Sequence, residues 1–141
     1  MAAVLAIGSR PPYRRRPPTV PLPRVSIVGR PNVGKSSLLN RLVGRRVSIV
    51  EPTAGVTRDR ISAIVERDGR RIELVDTGGL GLVAEDRLKE HVEAQIGFAI
   101  ACSDLVLFLV DCKEGHVPAD DLVAARLRRS GKKVLLVANK I

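Results

Sequence analysis

The chain has 141 residues, 45% of them hydrophobic but only 2% aromatic, and a formal net charge of +9. That length admits one folded domain and no second, with a core built on Val, Leu, Ile and Ala, a composition that suits a buried parallel sheet. No run approaches the ~18 apolar residues of a membrane helix, and the two cysteines, Cys102 and Cys112, match no metal or redox spacing, so both are expected as small core or near-core residues of a reducing compartment.

Residues 1–23 contain Arg10, Arg14, Arg15 and Arg16, six prolines and no acid. They are expected to be a disordered basic leader, and the remainder, residues 24–141, is then only mildly basic. A transit peptide, an RNA-touching arm or an upstream extension would share that composition. Arg24 to Val28 (RVSIV) reads as a buried strand, and the next eight residues, Gly29 to Ser36 (GRPNVGKS), fill the pattern GxxxxGK[ST]. The spacing suits a polyphosphate, whose closely set anionic oxygens are held only where several backbone N–H groups converge. Gly29 and Gly34 permit that approach, and the amides opening the following helix add its positive dipole end. Asn32, Val33, Gly34, Lys35, Ser36 and Ser37 are therefore the candidate phosphate-binding residues, with Lys35 bridging the β- and γ-phosphates and the Ser36 hydroxyl ligating magnesium.

A helix is expected from Lys35 to Val43, with Leu38, Leu39 and Leu42 at helical spacing and Gly44 ending it. Residues 45–59 mix charge, proline and glycine and read as a mobile loop. Arg60–Glu66 and Arg70–Asp76 flank Asp68-Gly69, a strong hairpin signal, so these two strands should be antiparallel neighbours. Asp76-Thr77-Gly78-Gly79 follows, then a helix from about Glu85 to Ala101 with Leu88, Val92, Ile96 and Ala99 or Ile100 on one face. Asp104–Asp111 is a continuous apolar strand. Pro118 opens a helix carrying Leu122, Val123, Ala125 and Leu127 to about Ser130, and Gly131 ends it. Lys133–Ala138 reads as another buried strand, closing on Asn139-Lys140-Ile141. His91 and His116 are expected at the surface or at helix ends.

Strands alternating with helices after one hairpin predict a three-layer α/β fold, its sheet mostly parallel with one antiparallel hairpin strand. Ligands of such sheets bind at the carboxyl ends of the strands, where the phosphate loop, the Asp76 segment and Asn139 would converge.

Four stretches in order, GRPNVGKS at 29–36, the Thr57 loop, DTGG at 76–79 and NK at 139–140, resemble the translation-factor class of small GTPases. VGRPNVGKSSLLNRL, AGVTRDR, ELVDTGGL, LVLFLVD and LLVANK together resemble the first GTPase domain of the Der (EngA) family over residues 24–141. The resemblance implies a P-loop GTPase fold, GTP or GDP as ligand with magnesium, and catalytic roles for Lys35, Thr57 and Gly79. It implies that the Thr57 hydroxyl reaches magnesium while its backbone senses the γ-phosphate, that Asp76 holds magnesium through a water, and that the Gly79 amide approaches the γ-phosphate. Asn139 and Lys140 would frame the guanine. Leu80 stands where many GTPases carry a water-orienting glutamine. The resemblance suggests a replacement, a potassium ion beside Asn32, although an asparagine there also suits a turn conformation. Implied partners are ribosomal RNA or the large ribosomal subunit, whose assembly a monomeric, cytoplasmic GTPase of this kind would serve.

The sequence departs from that pattern at Ala54, where a proline is usual, and at the position after Ile141, where the family's NKxD motif needs an aspartate. The last strand and last helix, the second GTPase domain and the KH-like domain are lacking, so the chain reads as an incomplete domain with an apolar edge, poor solubility and weak guanine selectivity. A second reading, from a different class, is a catalytically idle fragment in which Arg126, Arg128, Arg129, Lys132 and Lys133 touch RNA, although such a run more often forms a solvated helix face. An ATP-using P-loop kinase is a third, disfavoured by DTGG and by Asn139-Lys140.

Overall fold

Apolar residues run almost without a break along β-prone stretches such as 105–110 and 134–138 and recur every third or fourth position along the helical ones, so the central strands have two faces to cover and each helix one stripe to bury. The computed structural model, which describes residues 22–44, 49–50, 61–78 and 88–141, resolves this into one sheet covered on both faces. In chain order the elements are β1 (Arg24–Val28), α1 (Lys35–Val43), β2 (Ile49–Val50), β3 (Ile61–Arg67), β4 (Arg70–Asp76), α2 (Leu88–Cys102), β5 (Leu105–Asp111), α3 (Pro118–Ser130) and β6 (Val134–Asn139). The sheet order is β2-β3-β4-β1-β5-β6. Strands β4, β1, β5 and β6 run parallel, whereas β3 is antiparallel to both of its neighbours.

The two sheet faces carry two separate cores. Leu39 and Val43 of α1 pack on Val25, Ile27, Ala63, Val65, Leu74 and Leu109. On the other face Val92, Ile96 and Ala99 of α2 and Val123 and Leu127 of α3 pack on Val28, Val106 and Phe108. This is the expected three-layer arrangement. The turn between β3 and β4 takes positive φ at both Asp68 (51°) and Gly69 (74°), as a type I′ hairpin requires. Gly44 ends α1 at φ 74°, and Gly131 ends α3 at φ 70°, each donating its N–H back to the last turn.

Several expectations need correction. Residues 45–59 read as loop, yet Ile49 and Val50 form a short strand against Ile61 and Ser62, because two β-branched residues lie beside the open edge of β3. Cys102 and Cys112 are free and exposed rather than near the core, since one closes α2 and the other follows the last residue of β5, both at the rim of the sheet. The histidines stand as expected, His91 in the first turn of α2, where it is buried, and His116 at the surface. Leu122 is exposed, because the buried stripe of α3 runs through Ala119, Val123 and Leu127. β6 is not buried: Leu135 is 54% and Leu136 67% exposed, because β6 is the sheet's edge and no described helix covers both sides of it. The expected residues 1–21 of the leader, Ala54, Thr57, Gly79 and Leu80 lie outside the described residues.

Candidate functional site

The site begins where β1 stops. A Cβ on Gly29 would sit 2.6 Å from the Leu109 carbonyl of β5, so only glycine lets the chain leave the sheet so close to its neighbour. The loop then turns through Asn32 at φ 66° and Gly34 at φ 97°, and a Cβ at Gly34 would collide with the Asn139 side-chain amide. Val33 points inward as a fully buried anchor in the α1-side core. Gly34 is the residue capping α1; no side chain caps the helix there and no acidic residue occupies its first turn. The opening amides of α1 therefore present an unquenched positive end, with Ser36 and Ser37 exposed beside it.

Lys35 is buried beneath the loop, and its Nζ donates to the Gly29 and Arg30 carbonyls at 2.8 Å each. Burial lowers its pKa to about 8, against the pull of the Asp76 carboxylate. Asp76, at the end of β4, is 5% exposed and accepts a hydrogen bond from the Gly78 amide at 2.8 Å. Burial pushes its pKa up, opposed by that amide and by Lys35. Gly78 closes the gap between them: a Cβ there would lie 3.0 Å from both Asp76 Oδ1 and Lys35 Cε.

The third stretch joins from β6. Asn139 Nδ2 donates to the Val33 carbonyl at 2.8 Å, and Lys140 Nζ donates to the Asn32 carbonyl at 2.6 Å and to Asp111 Oδ2 at 2.8 Å. Asp111 also accepts from the Lys113 and Glu114 amides, and the Lys140 bond together with these holds its pKa at about 2. The structure thus brings Asn32, Val33, Gly34, Lys35, Ser36, Asp76, Asn139 and Lys140 to one edge of the sheet, the edge where parallel strands end.

A family model described as "50S ribosome-binding GTPase" matches residues 24–140, nearly the whole span of this site and its sheet. The chain belongs to that GTPase family. Within the GTPase family it is similar to GTPase Der of Thermoanaerobacter pseudethanolicus, with 56% identity over 117 residues, 83% of this chain and 27% of the relative. GTPase Der of Rhodopirellula baltica is 50% identical over 121 residues, 86% of this chain and 27% of the relative. The chain therefore spans about a quarter of the length of these curated relatives. Among solved structures, an Era variant of Aquifex aeolicus bound to GDP.AlF4- aligns with a TM-score of 0.66 and 37% identity, covering 85% of this chain and 41% of that one. The G domain of the T. maritima FeoB iron transporter aligns at 0.65 with 26% identity, covering 85% of this chain and 73% of that one. The Der resemblance of the motifs and the P-loop GTPase fold both stand, and the ATP-kinase reading is set aside.

Other residues bind the GTPase site together without a signal in the motifs. Arg30, in the phosphate loop, is buried and donates to Glu114 at 2.8 Å and Asp120 at 3.2 Å, tying the loop to the start of α3. Gln95 reaches the Gly29 amide across 66 positions, and Asp111 reaches Lys140 across 29. The basic run is partly spent on internal contacts: Arg126 binds both Glu93 oxygens at 3.0–3.1 Å, and Lys132 donates to the Ser103 carbonyl at 2.5 Å. Among the described residues no helix is long and apolar enough to cross a membrane.

Proposed function

We infer that the chain binds a guanine nucleotide and hydrolyses GTP, acting as the switch domain of a Der-like protein that serves assembly of the large ribosomal subunit. The observation that carries this reading is the convergence of the phosphate loop, the Asp76–Gly78 turn and Asn139-Lys140, tied by hydrogen bonds to the Val33 and Asn32 carbonyls. In this reading the amides from Asn32 to Ser37 enclose the β- and γ-phosphates, and the Lys35 ammonium leaves the Gly29 and Arg30 carbonyls to neutralise them. Asn139 and Lys140, already braced on the loop, frame the base.

The residues present suit magnesium. Ser36 is exposed at the start of α1, and Asp76 is a nearly buried carboxylate whose charge burial disfavours, so a hard cation with oxygen ligands would relieve it. Ser36, Asp76 and Thr57 would hold the ion, which supplies charge neutralisation at the phosphates. Thr57 and the Gly79 amide complete the site in the Der resemblance. A potassium ion beside Asn32 is part of the finer reading, although the positive φ of Asn32 alone accounts for an asparagine there. Ribosomal RNA or the large subunit as partner, a monomeric state and a cytoplasmic location rest on the likeness to Der and on the description of the family.

The experiment is phosphate release from GTP by the whole chain, in sodium and in potassium, with ATP and GDP as competitors. Lys35→Ala should lower nucleotide affinity by at least about tenfold, since a charge-assisted bond to phosphate contributes roughly 1.5–3 kcal/mol, and should end phosphate release. GDP should compete, and ATP should compete more weakly than GDP without being excluded. Turnover that survives Lys35→Ala would overturn the reading, and equal rates in the two salts would remove potassium from it.

A further inference from the structure

Gln95 lies midway along α2, 1% exposed, on the same stripe as the apolar Val92, Ile96 and Ala99. Its Oε1 accepts from the Gly29 amide at 3.3 Å and, 3.1 Å from the Thr77 hydroxyl, shares that hydroxyl's single proton with the nearer Ile27 carbonyl at 2.7 Å. Its Nε2 is buried with no partner among the described residues. A buried amide donor left unpaired destabilises a fold, and an apolar residue of similar shape would avoid that penalty. Exchanging the two ends of the amide gives no relief, because it would set an NH2 against the Gly29 N–H, donor against donor. The oxygen is therefore the working end. What it touches is specific: the first amide of the phosphate loop and the residue next to Asp76.

We propose that Gln95 is a positioning residue, bracing α2 against the Gly29 amide and Thr77 so that the phosphate loop and the Asp76 turn are held in one fixed relation. It acts through these two groups and touches no phosphate. The inference rests on the nucleotide-binding reading of the site, but its first readout does not. Any shift of α2 would loosen both walls of the site together, since one oxygen serves both.

Gln95→Leu keeps the volume, removes the acceptor and removes the orphaned donor. In the nucleotide-free chain, hydrogen exchange at the Gly29 amide should accelerate at least tenfold while the melting temperature stays within a few degrees of wild type. GTP affinity should fall about tenfold. Thr77→Val combined with Gln95→Leu should lose no more affinity than the worse single variant, because the two groups form one unit. Gln95→Glu retains an acceptor oxygen and should keep Gly29 protected, which tests the contact even where the leucine variant proves unstable. Unchanged Gly29 exchange in Gln95→Leu, additive losses in the double variant, or equal loss of protection in Gln95→Glu and Gln95→Leu would overturn the proposal. A wild-type chain that binds no GTP would instead overturn the nucleotide reading, and the exchange measurement would still decide the role of Gln95 in bracing the loop.

Discussion

Asp111 shows how one carboxylate can join parts of a site that lie far apart in sequence. It ends β5, takes the amides of Lys113 and Glu114 on one oxygen and the Lys140 ammonium on the other, and so fixes the lysine that also grips the Asn32 carbonyl. Its pKa is lowered from 3.8 to about 2, first by the Lys140 bond and then by the Glu114 amide. A carboxyl whose folded pKa lies below its unfolded one stabilises the fold at pH values above the unfolded pKa, and that contribution is lost as the pH falls through the folded one. Stability should therefore decline between about pH 4 and about pH 2 by a component that belongs to Asp111. Asp111→Asn keeps an oxygen for the two amides but loses the charge, so its melting temperature should be lower at neutral pH and flatter across that acid window. A variant with the wild-type acid profile would remove Asp111 from the account. Asp111 was legible only as the end of a strand, because its partners Lys140, Lys113 and Glu114 become neighbours only once the sheet and the following turn form. Arg30 and Gln95 were hidden for the same reason, with partners 90 and 66 positions away.

At the scale of elements, the glycines made the reading possible. Gly44, Gly69 and Gly131 all take positive φ in the structure, and each ends or turns an element at the residue expected from the sequence. The stripe of α2 was also readable, yet it contains two buried polar residues, His91 and Gln95, at positions where spacing alone predicts apolar ones. A polar residue interrupting an apolar stripe was the available signal for Gln95. On α3 the same spacing rule included Leu122, but the helix faces a sheet on one side only, and the phase of burial was set by Ala119, Val123 and Leu127. Burial on α2 has a measurable weight. Ile96 is fully buried against Val28, Val106 and Val123 in the core it shares with α3. Ile96→Ala should cost about 2–5 kcal/mol of unfolding free energy, the range for removing a large aliphatic side chain from a close-packed interior. Denaturant titration would check it, and a loss under about 1 kcal/mol would mean that this core collapses around the gap.

The molecule as a whole is unevenly covered. Four parallel strands and two flanking cores give the centre of the sheet a packed apolar interior on both faces, but coverage thins toward β6. Leu135 and Leu136 are 54% and 67% exposed, and β6 pairs with β5 alone among the described strands. Beside it an open groove of about 700 Å³ runs between α3 and the sheet, walled by Phe108, Val110, Leu127 and Leu136. An apolar strand with an unpaired row of backbone groups is a template for association between chains, and the groove adds apolar area to the same flank. The charges near the strand, Lys132 and Lys133 before it and Lys140 after it, oppose association without covering the leucines. The chain should therefore associate increasingly with concentration, seen as rising light scattering, and more so in salt, which screens those lysines. Leu136→Lys adds a charge where the side chain already faces solvent, so it should suppress the scattering while leaving the melting temperature within a degree or two. Scattering that persists unchanged in that variant would place the source of association elsewhere than the β6 edge.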